Sequence, residues 1–247
     1  MGDLHWLTAR PVAHRGLHDA ARGIIENAPA AMDAAIAAGL AIELDLQASA
    51  DGEAMVFHDF TLDRLTAETG PVAARTAAEL AGIAFRGTPD RILPLPQLLA
   101  RVAGRVPLVI EIKSAFDGDT RLAARAAQLV AAYGGPAALM SFDPEMLVEV
   151  RRRAPAVVRG IVAEGRYGAP EWPRMGTLEG FCLANLLHWP RSRFQFVNYR
   201  VADLGGAAPR LARRLGVPLL TWTVRTPEQR ALAARRADQM VFEGFRP

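Results

Sequence analysis

The stretch Ala41-Ile42-Glu43-Leu44-Asp45-Leu46-Gln47, followed after a short link by Ala54-Met55-Val56-Phe57-His58, decides how the chain is read. Both runs are short, apolar and β-like, and alternation within the first puts Glu43 and Asp45 on the same face of one strand. Outward from this stretch, similar runs recur at Val12 to Arg15, Leu108 to Lys113, Ala137 to Ser141, Val157 to Val162, Phe194 to Tyr199, Leu219 to Val224 and Gln239 to Phe242. Helical patterns lie between them: Asn27 to Gly39, which has an Asn in capping position and Pro29 in its first turn, Thr120 to Tyr133, Pro144 to Arg153, Ala207 to Leu215 and Pro227 to Arg236. Strand followed by helix, repeated about eight times, predicts an α/β chain folded as a TIM-like (β/α)₈ barrel.

One conflict stands in that reading. Nine strand candidates compete for eight barrel places, and the link from Ala48 to Glu53, with its Asp51-Gly52 turn, has the length of a hairpin connection rather than of a parallel crossover. Downstream, Thr61 to Pro96 is too long for an ordinary barrel loop and reads as a small insertion after the third strand, with a short helix near Thr76 to Ala81. Glu164 to Gly176 is a second long loop. The whole of 1–247 is expected to be one barrel domain.

The chain has 247 residues, 51% hydrophobic and 22% charged, which excludes the disordered, collagen-like and disulfide-scaffold classes. Its only cysteine, Cys182, cannot close an intrachain disulfide, and between Phe181 and Leu183 it is expected to be a buried thiol. The 29 basic and 26 acidic residues leave a net charge of +3, a small excess that argues against a nucleic-acid partner. The densest basic run, Arg151 to Arg153, closes a helical pattern, where cations suit the helix dipole. No apolar stretch reaches membrane-spanning length, and the N-terminus around Asp3 and His5 lacks the basic-then-apolar pattern of an export signal, so a cytoplasmic location is expected. Among the basic residues, 28 are arginine and one, Lys113, is lysine. A compact ammonium differs from a planar guanidinium in ways a binding site can need.

In a parallel barrel the reacting groups gather where strands end. His14 and Arg15 end the first run, Glu43 and Asp45 lie on the second, His58 and Asp59 end the third, and Glu111 and Lys113 end the fourth. Carboxylates crowded on a buried face need protons or a cation, and Glu43, Asp45 and Glu111 together suit a hard divalent ion, Mg²⁺ or Ca²⁺. Paired with rim arginines, the same acids would be purely structural. His14 and His58 have the chemistry of a general acid and base, and Arg15 and Lys113 offer donors to an anion such as a phosphate. His5, His18 and His188 lack this placement and are assigned no role.

In order and spacing, Ala13-His14-Arg15-Gly16, Glu26-Asn27, Ile42-Glu43-Leu44-Asp45-Leu46, Val56-Phe57-His58-Asp59, Thr61-Leu62-Asp63-Arg64, Glu111-Ile112-Lys113, Ser141-Phe142-Asp143 and Trp222-Thr223-Val224 resemble the glycerophosphodiester phosphodiesterase family. The resemblance spans nearly the whole chain. It implies a metal-dependent barrel that hydrolyses glycerophosphodiesters, its small-molecule substrates, to glycerol 3-phosphate and an alcohol. Carried over residue by residue, Glu43, Asp45 and Glu111 would hold the metal, His14 and His58 would be acid and base, and Arg15 and Lys113 would contact phosphate. Trp222 is expected to pack over the glycerol or alcohol portion. The chain departs from the family's usual residues at Ile25, Ala28, Arg225 and Phe242-Glu243. Two other readings compete: a phospholipase C-like or D-like phosphodiesterase acting on lysophospholipids, favoured by an apolar patch beside the site, and a non-enzymatic anion-binding or nucleic-acid-binding protein.

Overall fold

The computed structural model describes residues 4–168, 172 and 175–247; residues 1–3, 169–171 and 173–174, which include Asp3 and part of the second long loop, lie outside the described residues. The strands are β1 (Val12–Ala13), β2 (Ala41–Ala48), β3 (Ala54–Val56), β4 (Leu108–Ile112), β5 (Ala137–Ser141), β6 (Val158–Ala163), β7 (Phe196–Arg200), β8 (Leu219–Val224) and β9 (Gln239–Phe242). The helices are α1 (His5–Thr8), α2 (Pro29–Ala37), α3 (Ala77–Gly82), α4 (Leu95–Val102), α5 (Arg121–Ala131), α6 (Pro144–Arg153), α7 (Thr177–Ala184), α8 (Trp189–Ser192), α9 (Ala207–Arg214) and α10 (Pro227–Arg236). Among the described residues, no helix is long and apolar enough to cross a membrane.

Eight strands pair in parallel in the order β1, β2, β4, β5, β6, β7, β8, β9, and β9 pairs back onto β1 to close the barrel. Alternation sorts the barrel strands, broken in β8 by a register shift between Thr221 and Val224. Ala13, Ile42, Leu44, Leu46, Leu108, Ile110 and Ile112 point outward into one large core with the inner faces of α2, α4, α5 and α6. Val12, Ala41, Val109, Ala138, Phe196, Leu220 and Val241 fill the lumen, joined by Leu7 of α1. Gly160 makes room there: a Cβ at this position would lie 2.3 Å from the Phe196 ring. Two residues further along the lumen face, the apolar layer gives way to Glu43 on β2, Glu111 on β4, and His14 and Glu243 just past β1 and β9. The polar mouth is thus the continuation of the lumen rows toward the strands' C-terminal ends, as the parallel barrel predicts.

The ninth strand settles the counting conflict. β2 continues beyond its pairing with β4, which ends at Leu46↔Ile112, and turns back as an antiparallel hairpin, with Leu46 opposite Val56 and Ala48 opposite Ala54. β3 is therefore outside the barrel ring, and the short link is an ordinary hairpin connection. Because the hairpin returns toward the mouth, His58 arrives beside the β2 carboxylates without ending a barrel strand. The inserted segment has its own small core, with Met55, Phe57, Leu62, Val72, Leu80, Phe85 and Ile92 buried together and the rings of Phe57 and Phe85 stacked 6.0 Å apart. A capping box between Thr76 and Glu79 starts α3. The insertion gives way to α4 at Leu95, a helix absent from the sequence reading.

Three smaller expectations change. Asn27 is not the cap of α2: Ala28 stands at that position, and Asn27 takes a left-handed φ of +58°. Cys182 is half-buried rather than buried, and its neighbour Phe181 is 57% exposed. The first strand stops at Ala13 because Arg15 adopts φ +55°, bending the chain across the mouth.

Candidate active site

The parallel register places Asp45 of β2 directly beside Glu111 of β4, with Glu43 one lumen layer below. All three carboxylates are buried, and an oxygen from each lies within 4.8 Å of the others. Burial is the main force on them. It pushes the Glu43 carboxyl well above its ordinary range, with neighbouring Asp45 and Glu111 adding to the rise. Burial would raise Asp45 too, but Lys113, His58 and Arg15, in that order, overcome it and hold Asp45 far below the usual range.

Lys113 reaches back from the end of β4 so that Nζ lies 2.6 Å from Glu111 Oε1 and 2.8 Å from Asp45 Oδ1. The second contact is off the line of a hydrogen bond, and Asp45 Oδ1 is a buried oxygen with no hydrogen-bond partner. Asp45 Oδ2 accepts from the Asn27 side-chain amide at 2.9 Å, while Arg15 Nε approaches it to 3.4 Å. The left-handed turn at Arg15 aims its backbone N–H at Glu43 Oε2, 2.9 Å away. Gly16 follows at φ +80°, where a Cβ would strike Ala31 at 2.9 Å, so only glycine fits that bend.

The two histidines are held alike. His14 Nδ1 is 2.5 Å from Glu243 Oε2, and Arg225 Nε donates to the other carboxylate oxygen at 2.5 Å. His58 Nδ1 is 2.7 Å from Asp59 Oδ1, and Arg64 Nε donates to Asp59 Oδ2 at 2.6 Å. Arg64 also grips Glu26, which in turn accepts from Arg15 at 2.6 Å, so a chain of ion pairs runs round the rim from Arg15 to His58. In both cases Nε2 is the ring nitrogen left for other partners, and that of His14 lies 4.0 Å from Glu43 Oε2. Their surroundings differ. Burial lowers the His14 pKa despite the Glu243 hydrogen bond, whereas the His58 side chain is 28% exposed.

Beside Lys113 opens a pocket of about 310 Å³, lined among others by His58, Phe60, Phe116, Phe142 and Trp172. Trp222 faces the lumen with its indole N–H donated to the Asn198 carbonyl at 3.0 Å and its ring edge-on to Phe142 at 5.4 Å. His18, assigned no role from sequence, sits with Nε2 3.7 Å from Glu243 Oε2. His14, Arg15, Glu43, Asp45, His58, Glu111 and Lys113 thus converge on one mouth, while Trp222 lines the lumen next to it.

The carboxylate set fits a hard divalent cation: three buried oxygen donors within reach of one another and no thiol among them.

Comparison with known proteins agrees with this arrangement. The model of the Glycerophosphoryl diester phosphodiesterase family matches residues 14–244. YhdW of Bacillus subtilis (strain 168), provisionally named a glycerophosphodiester phosphodiesterase, is 26% identical over 244 residues, covering 94% of this chain and 93% of YhdW. The crystal structure of a glycerophosphodiester phosphodiesterase from Agrobacterium tumefaciens is 25% identical with a TM-score of 0.68, covering 94% of each chain. A phosphodiesterase from Oleispira antarctica, solved in complex with the product sn-glycerol-3-phosphate, shares the fold at a TM-score of 0.77 and 18% identity, covering 96% of this chain and 94% of the other. With barrel, mouth and family match spanning the same residues, the chain belongs to the glycerophosphoryl diester phosphodiesterase family.

Proposed function

We propose that the chain hydrolyses glycerophosphodiesters to glycerol 3-phosphate and an alcohol, with a divalent cation held by Glu43, Asp45 and Glu111 and with His14 and His58 as the proton-transfer pair. The observation that carries this reading is the single mouth in which three clustered carboxylates meet two histidines whose Nδ1 atoms are already engaged by carboxylates. The ion, when bound, supplies Lewis-acid stabilisation of charge on the phosphoryl oxygens. Arg15 and Lys113 are the cations inside the mouth, and they bind and orient the phosphate. One histidine takes a proton at Nε2 from the attacking oxygen, that of water or of the neighbouring glycerol hydroxyl, a P–O bond forms to that oxygen, and the P–O bond to the alcohol breaks. The other histidine gives its Nε2 proton to the departing oxygen, so protons balance over the step. Where the glycerol hydroxyl attacks, water then opens the cyclic phosphate to glycerol 3-phosphate. The ring of Trp222 and the pocket beside Lys113 offer apolar surface to the remainder of the substrate.

The aromatic lining of that pocket, with Phe60 54% exposed at its edge, also favours lysophospholipids as substrates. Release of the headgroup alcohol from glycerophosphocholine, glycerophosphoethanolamine and a lysophosphatidylcholine separates the two, the co-product being glycerol 3-phosphate from the first two and lysophosphatidic acid from the third. Glycerol 3-phosphate from the first two, abolished by chelator and restored by Mg²⁺ or Ca²⁺, is the expected result. Full activity after exhaustive metal removal overturns the metal assignment, and no hydrolysis of any of the three overturns the whole reading.

A further inference from the structure

We propose that Glu243 is a positioning residue for this reaction: its carboxylate, clamped by Arg225, fixes the His14 imidazole so that Nε2 is presented to substrate. The proposal rests on the role of His14 given above and adds two residues to it.

Three adjacent strands build the device. Val224 ends β8 and Arg225 follows it; Phe242 ends β9 and Glu243 follows it; Ala13 ends β1 and His14 follows it. The backbone locks these three positions together, because Glu243 N–H donates to the Val224 carbonyl at 3.1 Å and His14 N–H donates to the Phe242 carbonyl at 2.9 Å. On that frame the side chains form a relay, with Arg225 Nε 2.5 Å from Glu243 Oε1 and Glu243 Oε2 2.5 Å from His14 Nδ1. Both carboxylate oxygens are engaged, so the carboxylate cannot swing away from the ring.

The chemical consequence follows from the acceptor character of a carboxylate. It requires the proton on Nδ1, so a neutral His14 carries its lone pair on Nε2, the nitrogen on the Glu43 side of the ring. When Nε2 takes a proton, the same carboxylate stabilises the imidazolium that burial opposes. His18 Nε2, 3.7 Å from the shared oxygen, is too far to replace His14 in the relay.

In Glu243→Gln the guanidinium of Arg225 claims the amide oxygen, which turns the amide NH₂ toward His14 Nδ1 and drives the proton to Nε2. The test is kcat and KM for glycerophosphocholine in Glu243→Gln and Arg225→Ala, each in the otherwise native chain and in a His14→Ala background, together with the ¹⁵N imidazole spectrum of His14. Glu243→Gln is expected to lower kcat by on the order of 10²-fold or more, because the amide fixes the wrong tautomer, with KM little changed and the ¹⁵N pattern reversed between the two ring nitrogens. Arg225→Ala is expected to lower kcat less, and it keeps the proposal testable if Glu243→Gln does not fold. Neither substitution should change kcat further once His14 is alanine, because a residue acting through His14 then has nothing to position. Undiminished kcat, or falls of equal size in both backgrounds, overturns the positioning role and leaves His14 standing. Near-native kcat in folded His14→Ala overturns instead the reading on which the proposal rests.

Discussion

On α6, the buried carboxylate of Glu149 accepts from Arg152 at 2.6 Å and from Arg153 at 2.8 Å, and both arginines are more than half exposed. In the mouth of the barrel, Glu43, Asp45 and Glu111 share Lys113 and Arg15 with little water. The same residue types behave oppositely. Hydrogen bonds from Arg152 and, after it, Arg153 pull the Glu149 carboxyl down to about 2 although the carboxylate itself is buried. In the mouth, burial acts first and the carboxyls move apart, Glu43 upward and Asp45 downward. One acid with two arginines on its own helix relieves its charge where it stands. The mouth sets three buried acids against Lys113 and Arg15, and burial pushes one of them, Glu43, toward its protonated form.

Substitutions test this contrast. The largest effect is expected at the histidines: His14→Ala and His58→Ala should each lower turnover on the order of 10²-fold or more while melting curves stay cooperative. Near-native turnover in either folded variant removes that residue from the mechanism. Next comes Glu43→Gln, for which titration calorimetry should record at least about a 10-fold loss of Mg²⁺ or Ca²⁺ affinity. The metal-free variant should melt no lower than the native chain, because a neutral isostere relieves a carboxyl that burial disfavours. A clear drop in melting temperature would mean that the mouth acids stabilise the fold as the α6 acid does.

A smaller effect is expected at Glu149. Its carboxyl titrates near 2 when folded and near 4.5 when unfolded, so the pair's contribution is complete above about pH 4.5 and disappears as pH falls toward 2. Glu149→Gln should flatten the loss of melting temperature across that window and leave kcat unchanged, which acid-dependent melting curves would check. Smallest of all, Arg152→Ala should cost less than about 1 kcal/mol in denaturant unfolding, because Arg152 is mostly exposed and Arg153 still pairs with Glu149.

Most of the barrel was legible because a parallel strand buried on both faces writes itself as an apolar run, and its polar ending marks the mouth. The bounds of β2, β5, β8 and β9 fall within a residue of the runs read from sequence, and Glu43, Asp45, Glu111 and Lys113 stand where those runs place them. The direction of β3 was not legible. A rim hairpin and a barrel strand have the same composition, and only the brevity of the link at 48–53 separated them. The four residues each of α1 and α8 are too few to carry a helical period. Asn27 looks like a helix cap from its position before Pro29, yet its side chain serves Asp45, 18 residues away. The link between His14 and Glu243 spans 229 residues, and local pattern has no way to express it.

Closure of the ring by β9 against β1 carries a consequence for biosynthesis. A nascent polypeptide released one residue at a time cannot seal its barrel, or bring Glu243 to His14, until residues 239–243 have cleared the ribosomal tunnel. Truncated translation products would therefore be inert as well as unstable, and the hydrolase would switch on only with the last strand.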